Sequence, residues 1–266
     1  MAKERIDVLL VEKGFCDSRE KAKRLIMAGL VRDDYDIIDK PGTKIDVDSN
    51  LFVKGDLFPY VSRGGLKLEK ALHEFNLSIT NKIMVDIGSS TGGFTDCALQ
   101  NGVSLVYAID VGTNQLVWKL RNDPRVEVLE QTNFRYATKE LFTRGIPDFA
   151  SIDVSFISLK HIFHPLKDIL NDGDTIVALI KPQFEAGKEE VGKKGIIKDK
   201  AVHINVIKKV IEYGNKEGLL LQELTYSPIT GGQGNIEFLG LFVKNGDICT
   251  IDVETIVNEA HMRLKG

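Results

Sequence analysis

The chain has 266 residues, 27% of them charged, with a formal net charge of −3. That length holds one large or two smaller domains, and the near balance of charge gives no global nucleic-acid footprint, so any basic surface must be local. Cys16, Cys97 and Cys249 form no C-x-x-C pair, MAKERIDVLL lacks the apolar core of a secretory signal, and no run approaches the roughly 18 apolar residues of a membrane span, so a cytoplasmic protein without stable membrane insertion is expected.

The first region ends near Pro59. Apolar spacing predicts a helix over Arg5 to Glu12, which Gly14 ends. Asp17 or Ser18 caps a second helix, Arg19 to Ala28, and Gly29 stops it. Short β runs follow at Ile37-Ile38, Lys44 to Val47 and Leu51 to Val53, giving a small α/β module over 1–58. Residues 59–63 read as a linker, and 64–266 as the second domain.

The second region alternates strand and helix. Strands are predicted at 82–87, 104–109, 126–129, 149–153 and 174–181, with helices at 94–101, 114–121, 138–144 and 160–170. A polar stretch to about Lys200 reads as a mobile loop. A helix over 201–217 and strands near 219–226 and 236–243 complete the pattern. Such alternation predicts a mainly parallel sheet with helices on both faces. Ligands on these sheets bind beyond the carboxyl ends of the strands, where Gly88, Asp110, Asp153 and Lys181 all fall.

VDIGSSTGGFTD, Val85 to Asp96, is a strand, an acidic residue, a Gly/Ser turn and a helix start. An acidic residue about 20 positions after such a turn can hold a ribose diol, and Asp110 stands there. A dinucleotide fingerprint wants G-x-G-x-x-G, but Ser90 occupies the middle position. Asp86, two positions before Gly88, would repel a pyrophosphate and accept from the ammonium of S-adenosylmethionine. The expected cofactor residues are Asp86, Gly88, Ser89, Gly92, Gly93, Phe94 and Asp110, with Asn133 near an adenine or simply in a turn. The five histidines show no ligand spacing, and no metal is expected.

Positive charge gathers on Arg19, Lys21, Lys23 and Arg24, the local cluster that phosphate contacts need. Arg5-Ile-Asp-x-x-Leu followed by Ser18-Arg19-x-x-Ala22-x-x-Leu25-Ile26-x-x-Gly29 resembles the S4-type RNA-binding module over residues 4 to 54. Asp33-Asp34-Tyr35-Asp36 departs from it, since a small V-N-G-like hairpin is usual there.

Four further positions invite a joint reading: Lys67 in SRGGLKL, Asp153 in SIDVSF, Lys181 in LIKPQFE and Glu237 in GNIEF. Alone, each has an ordinary explanation as a surface, cap or edge residue. Together with DIGSSTGGFTD, these strings resemble the TlyA (hemolysin A) family over nearly the whole chain. That family is similar to FtsJ-type ribose 2′-O-methyltransferases with a Lys-Asp-Lys-Glu set. The resemblance implies a Rossmann-like class I methyltransferase domain, a mostly parallel seven-stranded sheet with helices on both faces, behind the S4-type module. It implies methyl transfer from S-adenosylmethionine to a cytidine 2′-hydroxyl in 16S or 23S ribosomal RNA, with ribosomal subunits as partners. The catalytic set carried over is Lys67, Asp153, Lys181 and Glu237; Arg5, Arg19, Lys21, Lys23, Arg24 and Arg63 would meet RNA. A ribose hydroxyl is a poor nucleophile until its proton is removed. A lysine serves as base only when its pKa is depressed, which a second ammonium achieves. Lys181 is assigned to activate the oxygen, Asp153 to orient it, and Lys67 and Glu237 to place the ribose and tune charge. A non-enzymatic RNA-binding protein with a vestigial fold is the alternative, and a membrane-active cytolysin ranks last.

Overall fold

The computed structural model describes residues 3–33, 36–49, 51–53, 59–187, 189–192 and 195–264. The chain divides into two compact units, Met1–Pro59 and Tyr60–Gly266. The division leaves most of the expected 59–63 linker inside the second unit. Tyr60 is buried there, its hydroxyl donates to Glu69 at 2.7 Å, and the Val61 amide donates to Asp96 at 2.8 Å.

The first unit runs β1 (Lys3–Arg5), α1 (Ile6–Glu12), α2 (Arg19–Met27), β2 (Val31–Asp33), β3 (Asp36–Ile38), β4 (Lys44–Asp46) and β5 (Leu51–Val53). Ser18 caps α2, accepting from the Lys21 amide. β1 pairs with β4, and β2 lies between β3 and β5, all antiparallel. Ile6, Leu10, Leu25, Ile26 and Val31 form the core, one stripe from each helix against the sheet. Asp34 and Tyr35, in the segment that departs from the S4-type pattern, lie outside the described residues.

The second unit opens with α3 (Gly65–Glu74) and continues β6 (Ile83–Ile87), α4 (Gly93–Gln100), β7 (Leu105–Ile109), α5 (Trp118–Arg121), β8 (Val126–Leu129), β9 (Phe149–Ile152) and α6 (Lys160–Ile169). Then come β10 (Thr175–Ile180), α7 (Pro182–Glu185), α8 (Lys200–Lys216), β11 (Leu219–Tyr226), β12 (Phe238–Lys244) and α9 (Val253–Leu264). The seven strands lie in the order β11-β12-β10-β9-β6-β7-β8. β12 alone runs against its neighbours. Side chains of each strand alternate between two cores: Leu105 and Tyr107 pack with α6, Val106 and Ala108 with α3 and α4. Burial on both faces explains the near-continuous apolar text of these strands. The chain leaves β6 toward β7 on one side and returns at β9 on the other, so the strand order switches there.

Three of the expected elements take another form. The helix expected at 114–121 begins only at Trp118, because the amides of Asn114, Gln115 and Leu116 donate to the Glu130 carboxylate instead of forming a turn. The helix expected at 138–144 is a single 3₁₀ turn, Lys139–Leu141; the Arg144 amide donates to the Tyr107 hydroxyl. The stretch after Lys181, read as a loop, begins with α7, and its Ile197 amide is held by Asn235. Residues 188 and 193–194 of that stretch lie outside the described residues.

Candidate active site

Lys67 stands in the first turn of α3, Asp153 directly follows β9, Lys181 follows β10, and Glu237 precedes β12. β9, β10 and β12 are neighbours. Because β12 is antiparallel, its first residues lie at the same sheet edge as the carboxyl ends of β9 and β10, with Phe238 opposite Ile180. Topology thus gathers three of the four groups, and α3 brings the fourth.

The four side chains form one alternating chain of charge. Lys181 Nζ lies 2.5 Å from Asp153 Oδ1 and donates to Ser155 Oγ at 3.0 Å. Lys67 Nζ lies 3.8 Å from Asp153 Oδ2 and donates to Glu237 Oε2 at 2.7 Å. Their formal charges cancel, which lets Lys67 and Glu237 tolerate side-chain exposures of only 10% and 2%. Gly231 makes room for this: a Cβ there would overlap the Glu237 carboxylate.

A cavity of about 370 Å³ is lined by all four groups together with Ser62, Arg63, Gly93, Phe94 and the Ile229–Gly232 turn. A second, of about 450 Å³, is lined by Asp110, Asn133, Phe134, Val154, Phe156 and Ile157. Gly88, Ser90, Asp153 and Ser155 line both. Gly88 has φ +85°, and a Cβ there would strike the Asp153 carbonyl; only glycine lets the turn pass so close to the end of β9. Phe156 is 90% exposed at φ +63°, its ring 4.9 Å from that of Phe184. An aromatic residue in that region costs on the order of 1–3 kcal/mol.

The Gly/Ser turn spends four of its amides within the protein. The amides of Gly88 and Ser89 both donate to the Ile109 carbonyl, Gly92 to Ser89, and Ser90 to Asp110 at 2.8 Å. Asp86 corrects the sequence expectation. It is fully buried, accepts from Thr95 Oγ1 at 2.7 Å and Ser151 Oγ at 2.8 Å, and does not line either cavity. Its side chain projects on the Met84 face of β6, beneath α4, where it braces the turn. Burial pushes its pKa up to about 6, against the pull of the two hydroxyls.

Asp110 lines the second cavity with each oxygen taking one backbone amide, from Ser90 and Gly112, which leaves a lone pair apiece for a diol. Asn133 Oδ1 takes the Arg135 amide, and its amide nitrogen remains for a ligand. Ser89, Gly93 and Phe94 line the first cavity. Gly92, at φ +98°, packs instead against Leu116 and Leu120. Of the six residues expected to meet RNA, Arg63 lines the first cavity. In the first unit Arg5 and Arg19 bind Asp7, Lys21 pairs with Asp17, Lys23 with Glu20, and Arg24 is exposed. Sequence reasoning missed the Ile229–Gly232 turn, whose signal was the glycine pair just before Asn235-Ile236-Glu237. It also missed Glu130, which clamps 114–116 beside the second cavity.

Comparison with known proteins places this architecture. Residues 60–244 match the FtsJ-like methyltransferase family, and residues 4–51 the S4 domain. The chain is 58% identical to YqxC of Bacillus subtilis over 269 residues, covering 99% of this chain and 96% of that protein. It is 40% identical to the 16S/23S rRNA (cytidine-2′-O)-methyltransferase TlyA of Mycobacterium tuberculosis over 235 residues, 88% of this chain and 87% of that one. A solved structure from Streptococcus thermophilus, whose name carries the word hemolysin, superimposes with a TM-score of 0.80 at 52% identity, covering 100% of this chain and 98% of that one. Among the described residues no helix is long and apolar enough to cross a membrane. The chain belongs to the TlyA family, in which an S4 domain precedes an FtsJ-like methyltransferase domain.

Proposed function

We propose that this methyltransferase moves the methyl group of S-adenosylmethionine onto a cytidine 2′-hydroxyl of ribosomal RNA, in the cytoplasm. The observation that carries the reading is the Lys181–Asp153–Lys67–Glu237 chain, set where two cavities join at the carboxyl edge of the sheet. The name of the Mycobacterium tuberculosis relative supports the ribosomal cytidine.

The residues present fit the cofactor. The second cavity is mostly apolar around Ile157, Phe134 and Val154, as an adenine requires, and Asp110 offers two lone pairs to a ribose diol. The amides of Gly88, Ser89, Ser90 and Gly92 are spent within the protein and so do not serve a pyrophosphate. S-adenosylmethionine supplies a methyl group on a sulfonium, whose positive charge disappears on transfer. Asp110 and Asn133 would hold the nucleoside, and Ser89 and Ser90 would meet the amino-acid part.

The chain's own residues supply the rest. Lys181, aimed by Asp153 and Ser155, first gives up its ammonium proton to solvent, and the free amine then takes the 2′-hydroxyl proton. Lys67, pinned by Glu237, holds a fixed positive charge against Asp153 and orders the ribose. Alignment of oxygen and methyl then accounts for most of the acceleration. Incubation with labelled S-adenosylmethionine and separate ribosomal subunits tests this. Label should enter a cytidine ribose. Lys181→Ala should abolish transfer and leave cofactor affinity within about threefold, since Lys181 faces the first cavity and not the second. Full turnover by that variant overturns the assignment.

A further inference from the structure

The first unit holds a charged cluster built around one buried carboxylate. Asp7, in the first turn of α1, is completely buried. Two arginines from different elements converge on it. Arg5 donates from Nε to Oδ1 at 2.9 Å and from Nη2 to Oδ2 at 3.1 Å. Arg19, the first residue of α2, donates from Nη2 to the same Oδ2 at 2.8 Å. Hydrogen bonding to Arg5, opposed by burial and reinforced by Arg19, holds the carboxyl down to about 2. A buried ion pair adds little stability that packed apolar residues of similar volume would not.

The arginines themselves are not buried: their side chains are 42% and 54% exposed. A guanidinium carries five N–H donors. Arg5 spends two on Asp7 and Arg19 one, so most of each fork remains available. Binding a ligand with a long cationic side chain ordinarily freezes its rotamers, a cost that folding has already met here. Lys21 and Lys23 differ, for their carboxylate partners Asp17 and Glu20 are solvent-exposed residues of the same helix region, and such pairs fix little.

We infer that Asp7 is a positioning residue that holds Arg5 and Arg19 as a preformed clamp for one backbone phosphate of the RNA substrate. The inference rests on the RNA-directed reading above. It also gives Asp7 a role opposite to its charge. If cations on this unit acted only through bulk attraction, removing a carboxylate would tighten RNA binding. If the carboxylate aims the forks, removing it weakens binding although net positive charge rises.

The test uses the full chain and ribosomal RNA purified from each subunit, with affinity measured at one fixed salt concentration because phosphate contacts are salt-dependent. Asp7→Asn should bind about tenfold more weakly. Arg5→Lys and Arg19→Lys keep the charge and lose the planar fork. Each should weaken binding by a similar factor and add little to Asp7→Asn, as members of one unit do. In methyl transfer the variants should raise KM for RNA and leave kcat unchanged. Where Asp7→Asn lowers the melting transition of this unit, the half-exposed lysine variants decide the matter. Equal or tighter binding by a folded Asp7→Asn, or wild-type affinity in both lysine variants, overturns the clamp. Failure of the wild-type chain to bind ribosomal RNA overturns the RNA-directed reading as well; normal wild-type binding and methylation beside unaffected variants overturns the clamp alone.

Discussion

Replacing Lys67 by Met separates the architecture of the four-residue chain from its chemistry. Lys67 Nζ is 2.7 Å from a Glu237 carboxylate whose side chain is 2% exposed. At an effective dielectric constant near 20, that contact alone is worth about 6 kcal/mol of Coulomb attraction, most of it offset by desolvation of both ions. Removing one partner therefore strands a buried charge, at a cost of about 3 kcal/mol. For a domain of this size each kcal/mol moves the melting temperature by about 2–4 °C, so Lys67→Met should melt about 6–12 °C lower. Glu237→Gln keeps a hydrogen-bond acceptor, and Lys67 retains Asp153 at 3.8 Å, so that variant should lose only about 1 kcal/mol. Combining the two removes both charges. The double variant should recover about 2 kcal/mol relative to Lys67→Met, a coupling readable in a thermal or urea double-mutant cycle. Labelled-methyl transfer should be lost in all three. A Lys67→Met protein that melts like wild type refutes the pairing, and a double variant that is stable and active refutes the catalytic reading of both groups.

Two further outcomes follow from the same geometry. Asp86 has its pKa raised from 3.8 to about 6 by burial, so its contribution to stability is fully present below about pH 4 and is lost as pH rises through about 6, a fall of about 3 kcal/mol. Asp86→Asn can still meet Thr95 and Ser151 and should flatten that part of the pH–stability curve; an unchanged curve in urea unfolding between pH 4 and 7 would count against a buried, ionisable Asp86. Gly231→Ala would press a methyl group on the Glu237 carboxylate and should cut methyl transfer by about 10²-fold at near-normal cofactor affinity, whereas Gly232→Ala, with open space around its Cβ, should turn over normally. Equal activity in the two alanine variants would show that Glu237 tolerates displacement.

Much of the sheet was legible because both of its faces are buried. Strands such as Leu105–Ile109 and Thr175–Ile180 then read as plain apolar runs. The errors fell where side chains from elsewhere captured backbone donors. Glu130 takes three amides that helical spacing would assign to a turn beginning at Asn114, and the Tyr107 hydroxyl ends the segment after Leu141. No local pattern reveals a donor's distant partner. α9 carried no signal that was read, although Val257 and Ala260 supply its buried stripe. Asp86 lies apart from both cavities for a related reason. Its place before a glycine turn marks it as important, but which face of β6 it occupies depends on the pleat, and the pleat sends it under α4.

That burial bears on how the turn discriminates among nucleoside ligands. A helix N-terminus following a glycine-rich turn is ordinarily an anion site, because its first amides lack partners. Here Asp86 already takes a hydrogen bond from the Thr95 backbone as well as from its hydroxyl, so the protein fills that position with its own carboxylate. In the turn preceding it, Gly88, Ser89 and Ser90 donate to Ile109 and Asp110. A pyrophosphate would meet a buried negative charge and a turn in which four amides already have acceptors. The carboxyl edge of the sheet instead offers a carboxylate at Asp110 for hydroxyls and an apolar wall for a base. On the proposed reading, exclusion of phosphate and retention of a nucleoside would come from different residues, which is why serine at the middle position of the glycine string and aspartate before it carry information only when read together.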